Sequence, residues 1–187
     1  MDPGFWWLVR TDAYRITGTR SWIALARQLL AGETYAYVFW LRLTERLSQT
    51  PARPLLFCAR LVLRRLQYRM GINVPYNTHI GPGLAIGHAG GIVVSAAASI
   101  GRNCNLSHNV TIGATKGHRA GAPQIGDNVY IGPGAVVSGN ITIGSGAAIG
   151  ANSVVLDDVP PHVTVAGVPA RVVSRSGSAE WVHNTDY

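Results

Sequence analysis

From Val74 to about Val172 the apolar residues return on a six-residue beat. Branched aliphatics stand at Val74, Ile80 and Ile86, then in a shifted register at Val94, Ile100, Leu106 and Ile112; after an interruption they resume at Ile125, Ile131, Val137, Ile143, Ile149 and Val155. The following residue is repeatedly glycine, as at Gly81, Gly101, Gly126 and Gly144, and four residues past the aliphatic comes a small or apolar one, such as Leu84, Ala98, Cys104, Val110 or Ala135. An amphipathic helix of period 3.6 would let these aliphatics drift around its surface, and an alternating strand has no need of a regular glycine. The beat predicts a mainly β hexapeptide solenoid, in which each repeat gives one short strand and one corner. A flexible Gly-rich linker would not supply an aliphatic on schedule.

Ahead of the solenoid the pattern changes to helical spacing. SWIALARQLLA, from Ser21 to about Ala31, predicts a helix capped by Ser21 and stopped by Gly32. A second helix is expected from about Thr34 to Ser48, where Tyr37, Trp40, Leu41, Thr44 and Leu47 form one stripe, and a third from about Leu55 to Met70. The third interleaves Leu56, Leu63 and Leu66 with Arg60, Arg64, Arg65 and Arg69, a face suited to solvent or to peripheral membrane contact. These helices are expected to cap the open first coil, with Trp6, Trp7, Trp22, Tyr35 and Phe39 as packing residues. The domains expected are thus a helical region over 1–72, a β-helix over 73–173 with a loop at 114–124, and a loosely held polar tail over 174–187.

Composition narrows the function classes. The net charge of +7 is concentrated before residue 72 with few aromatics interleaved along the solenoid, which supports attraction to an anion but not base recognition, so no nucleic acid is expected. The two cysteines, Cys58 and Cys104, make no disulfide framework and suit a reducing compartment. No apolar run approaches the ~18 residues of a bilayer span, and the opening MDPGFWWLVRTD lacks the order of a signal peptide. A cytoplasmic location is expected, extending to the inner face of the membrane.

The candidate chemistry lies in histidines. His88 and His108 each stand two residues past an aliphatic, Ile86 and Leu106, and three repeats apart once a two-residue shift near Gly90 and Gly91 is absorbed. Three repeats to a coil would stack them at roughly one interstrand spacing, ~4.8 Å. A histidine on a rigid coil suits a general base for a hydroxyl nucleophile. The interruption GATKGHRAGAPQ carries Lys116, His118 and Arg119 on an exposed Gly-rich loop, a place for substrate contacts. His88, His108 and His118 together also allow a metal reading, although the spacing differs from that of the zinc-binding gamma-class carbonic anhydrases, and no metal is expected.

The segments IGHAGGIVV (86–94), PQIGDNVYIGPGAVVSGNITIGSGAAIGANSVV (123–155) and VPPHVTVAGVPARVV (159–173) resemble the serine acetyltransferases and their relatives among the left-handed β-helix, hexapeptide-repeat acyltransferases. The resemblance covers roughly Asn73 to Val173. It implies a left-handed parallel β-helix with a short N-terminal α-helical region, acetyl-CoA as co-substrate, and a homotrimer with sites between protomers. His88 matches the family's catalytic histidine, and the carboxylate that orients it falls on Asn73. His108, Lys116, His118 and Arg119 are expected on the acceptor side. Gly132, Gly134, Gly150, Ala151, Ala166, Gly167 and Pro169 match the coils lining the CoA channel, with Arg171 for its phosphates.

The chain departs from the serine enzymes in several places. Gly87 replaces an acidic residue before the histidine, Gly121 and Ala122 take the place of an Arg-His pair, the helical region is shorter, and the end Asp186-Tyr187 differs from the family's isoleucine. These departures turn the expectation toward an O-acetyltransferase acting on a sugar or polysaccharide precursor. Serine O-acetylation is the alternative, and a metal enzyme or noncatalytic scaffold a remote one.

Overall fold

The computed structural model describes residues 4–117 and 120–187. Four helices come first: α1 (Phe5–Thr17), α2 (Trp22–Ala31), α3 (Tyr35–Ser48) and α4 (Arg53–Met70). Then the chain winds into a left-handed parallel β-helix of triangular section. Its first coil carries β1 (Ile72–Asn73), β2 (His79–Ile80) and β3 (Ala85–Ile86); the second β4 (Ile92–Val94), β5 (Ser99–Ile100) and β6 (Asn105–Leu106). The third has β7 (Thr111–Gly113), β8 (Gln124–Ile125) and β9 (Tyr130–Ile131), and the fourth β10 (Val136–Ser138), β11 (Thr142–Ile143) and β12 (Ala148–Ile149). β13 (Val154–Val155) and β14 (Thr164–Gly167) complete the last coil, and β15 (Ala170–Ser174) folds back antiparallel on β14.

The six-residue beat is explained by the three faces. Strands β1, β4, β7, β10 and β13 form one sheet, β2, β5, β8 and β11 a second, and β3, β6, β9, β12 and β14 a third. Each scheduled aliphatic points inward, so Ile86, Leu106, Ile131, Ile149 and Val165 stack in one buried row, as do Ile80, Ile100, Ile125 and Ile143. The coils also approach closely where glycine recurs. A Cβ on Gly132 would stand 2.8 Å from the carbonyl oxygen of Ile149, closer than real side chains come.

The expected helices are present, with α4 starting at Arg53 rather than near Leu55 because Pro54 fits the first helical turn. Ser21 caps α2 by accepting from the Ile23 N–H at 3.2 Å. The first coil is indeed capped: Tyr37, Val38, Leu41 and Leu63 join the solenoid's buried core. Tyr37 Oη donates to the Val74 carbonyl and accepts from the Val74 N–H, both at 3.0 Å. Among the described residues no helix is long and apolar enough to cross a membrane.

Three expectations change. α1 has no counterpart in the sequence reading, because the face it buries includes Thr11, Asp12 and Arg15 beside Val9 and Ala13. Asp12, fully buried, binds Arg42 Nε at 2.9 Å and accepts from the N–H groups of Gly83 and Leu84 at 2.8 Å each, while Arg42 also donates to the carbonyls of Ile80 and Gly81. Tyr35 is buried and Phe39 packs against it as expected, but Trp6, Trp7 and Trp22 pack at the surface, edge-on against Phe5, one another and Tyr187, and stay largely exposed. The tail is held rather than loose. Ser178 Oγ donates to the Asn128 carbonyl, Trp181 stacks on Tyr130 at 4.9 Å, and Tyr187 Oη donates to Asn103 Oδ1 at 2.6 Å, so the tail runs back from the last coil to the second.

Candidate active site

The corner between the third sheet and the first sheet collects most of the expected site residues into one line. Because Ile86, Leu106, Ile131, Ile149 and Val165 are paired in register, the residues that follow are stacked too: Gly87, Ser107, Gly132, Gly150 and Ala166, then His88, His108, Pro133, Ala151 and Gly167. Backbone bonds hold the line, with Gly87 N–H donating to Leu106 O, Gly132 N–H to Ile149 O and Gly150 N–H to Val165 O at 2.8–3.2 Å. Gly134 donates to the His108 carbonyl and holds φ +72°, a left-handed turn that favours glycine. The two histidines are neighbours as the spacing implied, their ring centroids 6.1 Å apart and their planes at 69°.

His88 is oriented by a residue that the sequence did not single out. Glu33, in the turn between α2 and α3, holds His88 Nδ1 at 3.2 Å with Oε2 and accepts from the Ala89 N–H at 3.3 Å with Oε1. The turn is fixed next to this corner, because Thr34 Oγ1 donates to the Ile86 carbonyl at 2.5 Å. The Ala89 N–H, and after it His88, hold the Glu33 carboxyl below the usual glutamate range, so it is an anion at neutral pH. A carboxylate at Nδ1 selects the tautomer that carries its proton there and leaves Nε2 facing away with its lone pair.

Asn73 lies on β1, paired through its backbone with Val93 on the first sheet, and Nδ1 of His88 meets Glu33. The carboxylate against His88 Nδ1 comes from a helical turn 55 residues away in sequence.

Lys116 stands elsewhere. The loop it belongs to leaves between β7 and β8, at the corner joining the first and second sheets, and closes through paired hydrogen bonds of 2.9 and 3.1 Å between Thr115 and Gly121. Within one chain the structure therefore does not bring Lys116 to His88. His118 and Arg119, also expected on the acceptor side, lie outside the described residues. The donor-side residues Pro169 and Arg171 lie at the β14–β15 hairpin; Pro169 and Arg171 are exposed, with Arg171 Nη1 3.7 Å from Asp157 Oδ2. The line from Gly132 to Gly167 carries only small residues and a proline, which leaves an open edge for an extended molecule, with the Arg171 cation at its far end.

Cys104 fills an inward slot, where burial pushes its thiol up to about 12 and leaves it inert. Among the described residues no three His, Cys, Asp or Glu side chains stand together as a metal site.

Comparison with known proteins places this geometry. The family model described as bacterial transferase hexapeptide (six repeats) matches residues 122–157. A serine acetyltransferase of Staphylococcus xylosus is 42% identical over 120 residues, covering 64% of this chain and 56% of that protein. Soybean serine acetyltransferase, solved as the apoenzyme, is 36% identical with a TM-score of 0.75 over 92% of this chain and 70% of that one. A serine acetyltransferase solved in complex with CoA is 30% identical, with a TM-score of 0.75 over 92% and 71% of the two chains. The chain spans from 30% to 56% of the length of the curated relatives it matches. With the coils, the histidine corner and this coverage in agreement, the chain belongs to the serine acetyltransferase-like, hexapeptide-repeat acyltransferases.

Proposed function

We propose that this protein is an acetyl-CoA-dependent O-acetyltransferase and that its acceptor is the hydroxyl of serine. The observation that carries the reaction type is the single corner on which the Glu33–His88 pair and the small-residue edge follow one another. Serine is supported by the relatives: those described above are serine acetyltransferases, and a soybean enzyme complexed with serine is 36% identical to this chain. The sugar acceptor expected from the sequence has no such support, and serine replaces it.

In this reading acetyl-CoA lies along Gly132, Gly134, Gly150, Ala151 and Ala166 to Arg171, with its thioester toward the histidines. Glu33 accepts the Nδ1 proton of His88, so Nε2 removes the proton of the acceptor hydroxyl. The oxygen forms a bond to the thioester carbonyl carbon, the carbon–sulfur bond breaks, and the departing sulfur takes the proton from His88 as the free thiol. His108, one coil along, orients the acceptor.

The active assembly proposed is a homotrimer, since Lys116 and its loop stand at a different corner from His88 and reach a site only on a neighbouring protomer. Incubation with acetyl-CoA and a panel of serine, homoserine and nucleotide sugars, read by free thiol, tests the proposal. Serine should give the highest kcat/KM, and thiol release with sugars alone would overturn the serine assignment.

A further inference from the structure

Among the described residues little packs against α2, and Leu25 is the one residue that it buries. At about 100° per residue, Trp22, Ala26, Leu30, Ile23 and Arg27 follow one another around an exposed arc of about 140°. Ile23 is 81% exposed and Leu30 90%. One open leucine is ordinary, but a continuous apolar face marks an interaction surface.

The face continues onto α1. Trp6 stands edge-on to Trp22 with ring centroids 6.0 Å apart, and the Arg10 guanidinium lies 4.9 Å from the centre of the Trp22 ring. Three of the chain's five tryptophans, Trp6, Trp7 and Trp22, are gathered here. Their rings are apolar in the body and carry a donor at one edge, which suits the boundary between hydrocarbon and water. With Tyr14, Arg10 and Arg20 they also wall a recess of about 260 Å³, which has rings for an apolar stem and guanidinium groups for an anionic head.

Charge identifies the partner. From Gly4 to Gly32 the sequence holds Arg10, Arg15, Arg20 and Arg27 against a single acid, Asp12. Asp12 is fully buried on Arg42, and Arg15 is buried on the carbonyls of Gly83 and Asn103. The charge left outside is therefore arginine: Arg27 on the arc, Arg10 on Trp22, and Arg20 between the two helices. Glu33, just past α2, is engaged by His88, while Asp186 accepts from Tyr14 and offers its carbonyl to Arg20. Two copies meeting through this face would set like charges against each other, whereas an anionic surface complements them. α4, the helix that the sequence offered for such a contact, is less suited. Its Phe57, Leu61 and Tyr68 line a groove of about 740 Å³ together with Asn73 and Val93, and filling that takes a protruding partner rather than a flat layer of headgroups.

We infer that α2 and the start of α1 form a docking face for an anionic lipid surface. α2, about 15 Å long, lies flat in the headgroup layer with Trp22, Ile23 and Leu30 turned inward and Arg10, Arg20 and Arg27 on the phosphates. The contact is peripheral and independent of the acetyltransferase reading.

The test sediments the whole chain with vesicles of phosphatidylcholine alone and of phosphatidylcholine mixed with phosphatidylglycerol. Binding to the mixed vesicles should exceed binding to the neutral ones by about tenfold or more, and added salt should release it. Arg27→Gln should weaken it about fivefold, the factor for one basic residue at an anionic surface. Ile23→Ser combined with Leu30→Ser should weaken it by about tenfold or more. Both side chains already stand in water, so the fold should survive, as circular dichroism would show. Leu61→Ser on α4 should change nothing. Absent or equal binding to the two kinds of vesicle, or full binding by the Ile23/Leu30 double variant, overturns the docking face. Displacement from the vesicles by glycerol phosphate would put a site for a free phosphate compound in its place. Self-association without vesicles that the double variant abolishes would likewise overturn it, by assigning the face to a second copy.

Discussion

Replacing His88 by alanine removes the imidazole that combines a free nitrogen lone pair with a carboxylate partner. General-base contributions are worth about 10²–10⁴-fold in rate, and kcat should fall by that factor with serine as acceptor. Donor affinity should be nearly unchanged, because the small-residue edge begins at Gly132, two coils or about 10 Å from His88 along the stack. Glu33→Gln should cost much less. The side chains of His88 and Glu33 are 69% and 58% exposed, and ion pairs so open to water contribute little, so a loss of about two- to tenfold in kcat is expected. The informative result is the double variant. If Glu33 acts only by orienting His88, Glu33→Gln should have no further effect once His88 is alanine, whereas independent roles would multiply. Free-thiol kinetics at saturating acetyl-CoA, with donor binding measured by titration, give all four corners of the cycle. Near-normal turnover by His88→Ala while His108→Ala is inactive would reverse the assignment of the base. Multiplicative losses would remove Glu33 from the dyad.

Further outcomes follow from the fold. Asp12→Ala leaves Arg42 buried without its partner and orphans two backbone N–H groups, so chemical denaturation should show a loss of about 3–5 kcal/mol; a loss below about 1 kcal/mol contradicts the structural role given to the pair. The Tyr14 hydroxyl, with Asp186 as acceptor at 2.8 Å, holds that carboxyl below its usual ~3.9, so this one contact of the tail contributes fully above that value and is lost as pH falls through the lowered one. Tyr14→Phe should move the release to higher pH, followed by tryptophan fluorescence with Trp181→Phe as the blank, and an unmoved transition would count against it. A Cβ at Gly87 meets nothing within 4 Å, so Gly87→Asp should fold normally and restore the acidic residue of the serine enzymes. Its kcat/KM for serine should rise, and no change would mean that the serine amine is not held there.

The solenoid was legible because each buried row repeats in sequence, and the same arithmetic places His88 over His108. The rest was hidden for identifiable reasons. α1 buries Asp12 and Arg15, so no apolar stripe marked it, and their partners at Gly83 and Asn105 lie about seventy and ninety residues on. Glu33 stands in a short turn between helices, and its neighbour His88 is brought to it only when Thr34 docks on Ile86. Alignment with the family pointed to Asn73 because that is where the orienting carboxylate stands in the serine enzymes. The tail looked loose because its contacts are hydrogen bonds and one ring stack, which leave no hydrophobic period to read.

That tail changes how the molecule comes apart. In a solenoid each coil touches only its neighbours, so stability accumulates step by step and the ends can fray one turn at a time. Here Trp181 on Tyr130, Asn105 Nδ2 donating to the Trp181 carbonyl at 2.8 Å, and Tyr187 on Asn103 tie residues beyond the last coil to the third and second coils and to α1. A linear array has been given a closing contact of long sequence separation, so losing the last coil also loosens the second and third and the helix beside them. The unfolding of this chain should be a single cooperative transition, in contrast to the progressive unzipping open to an untied stack.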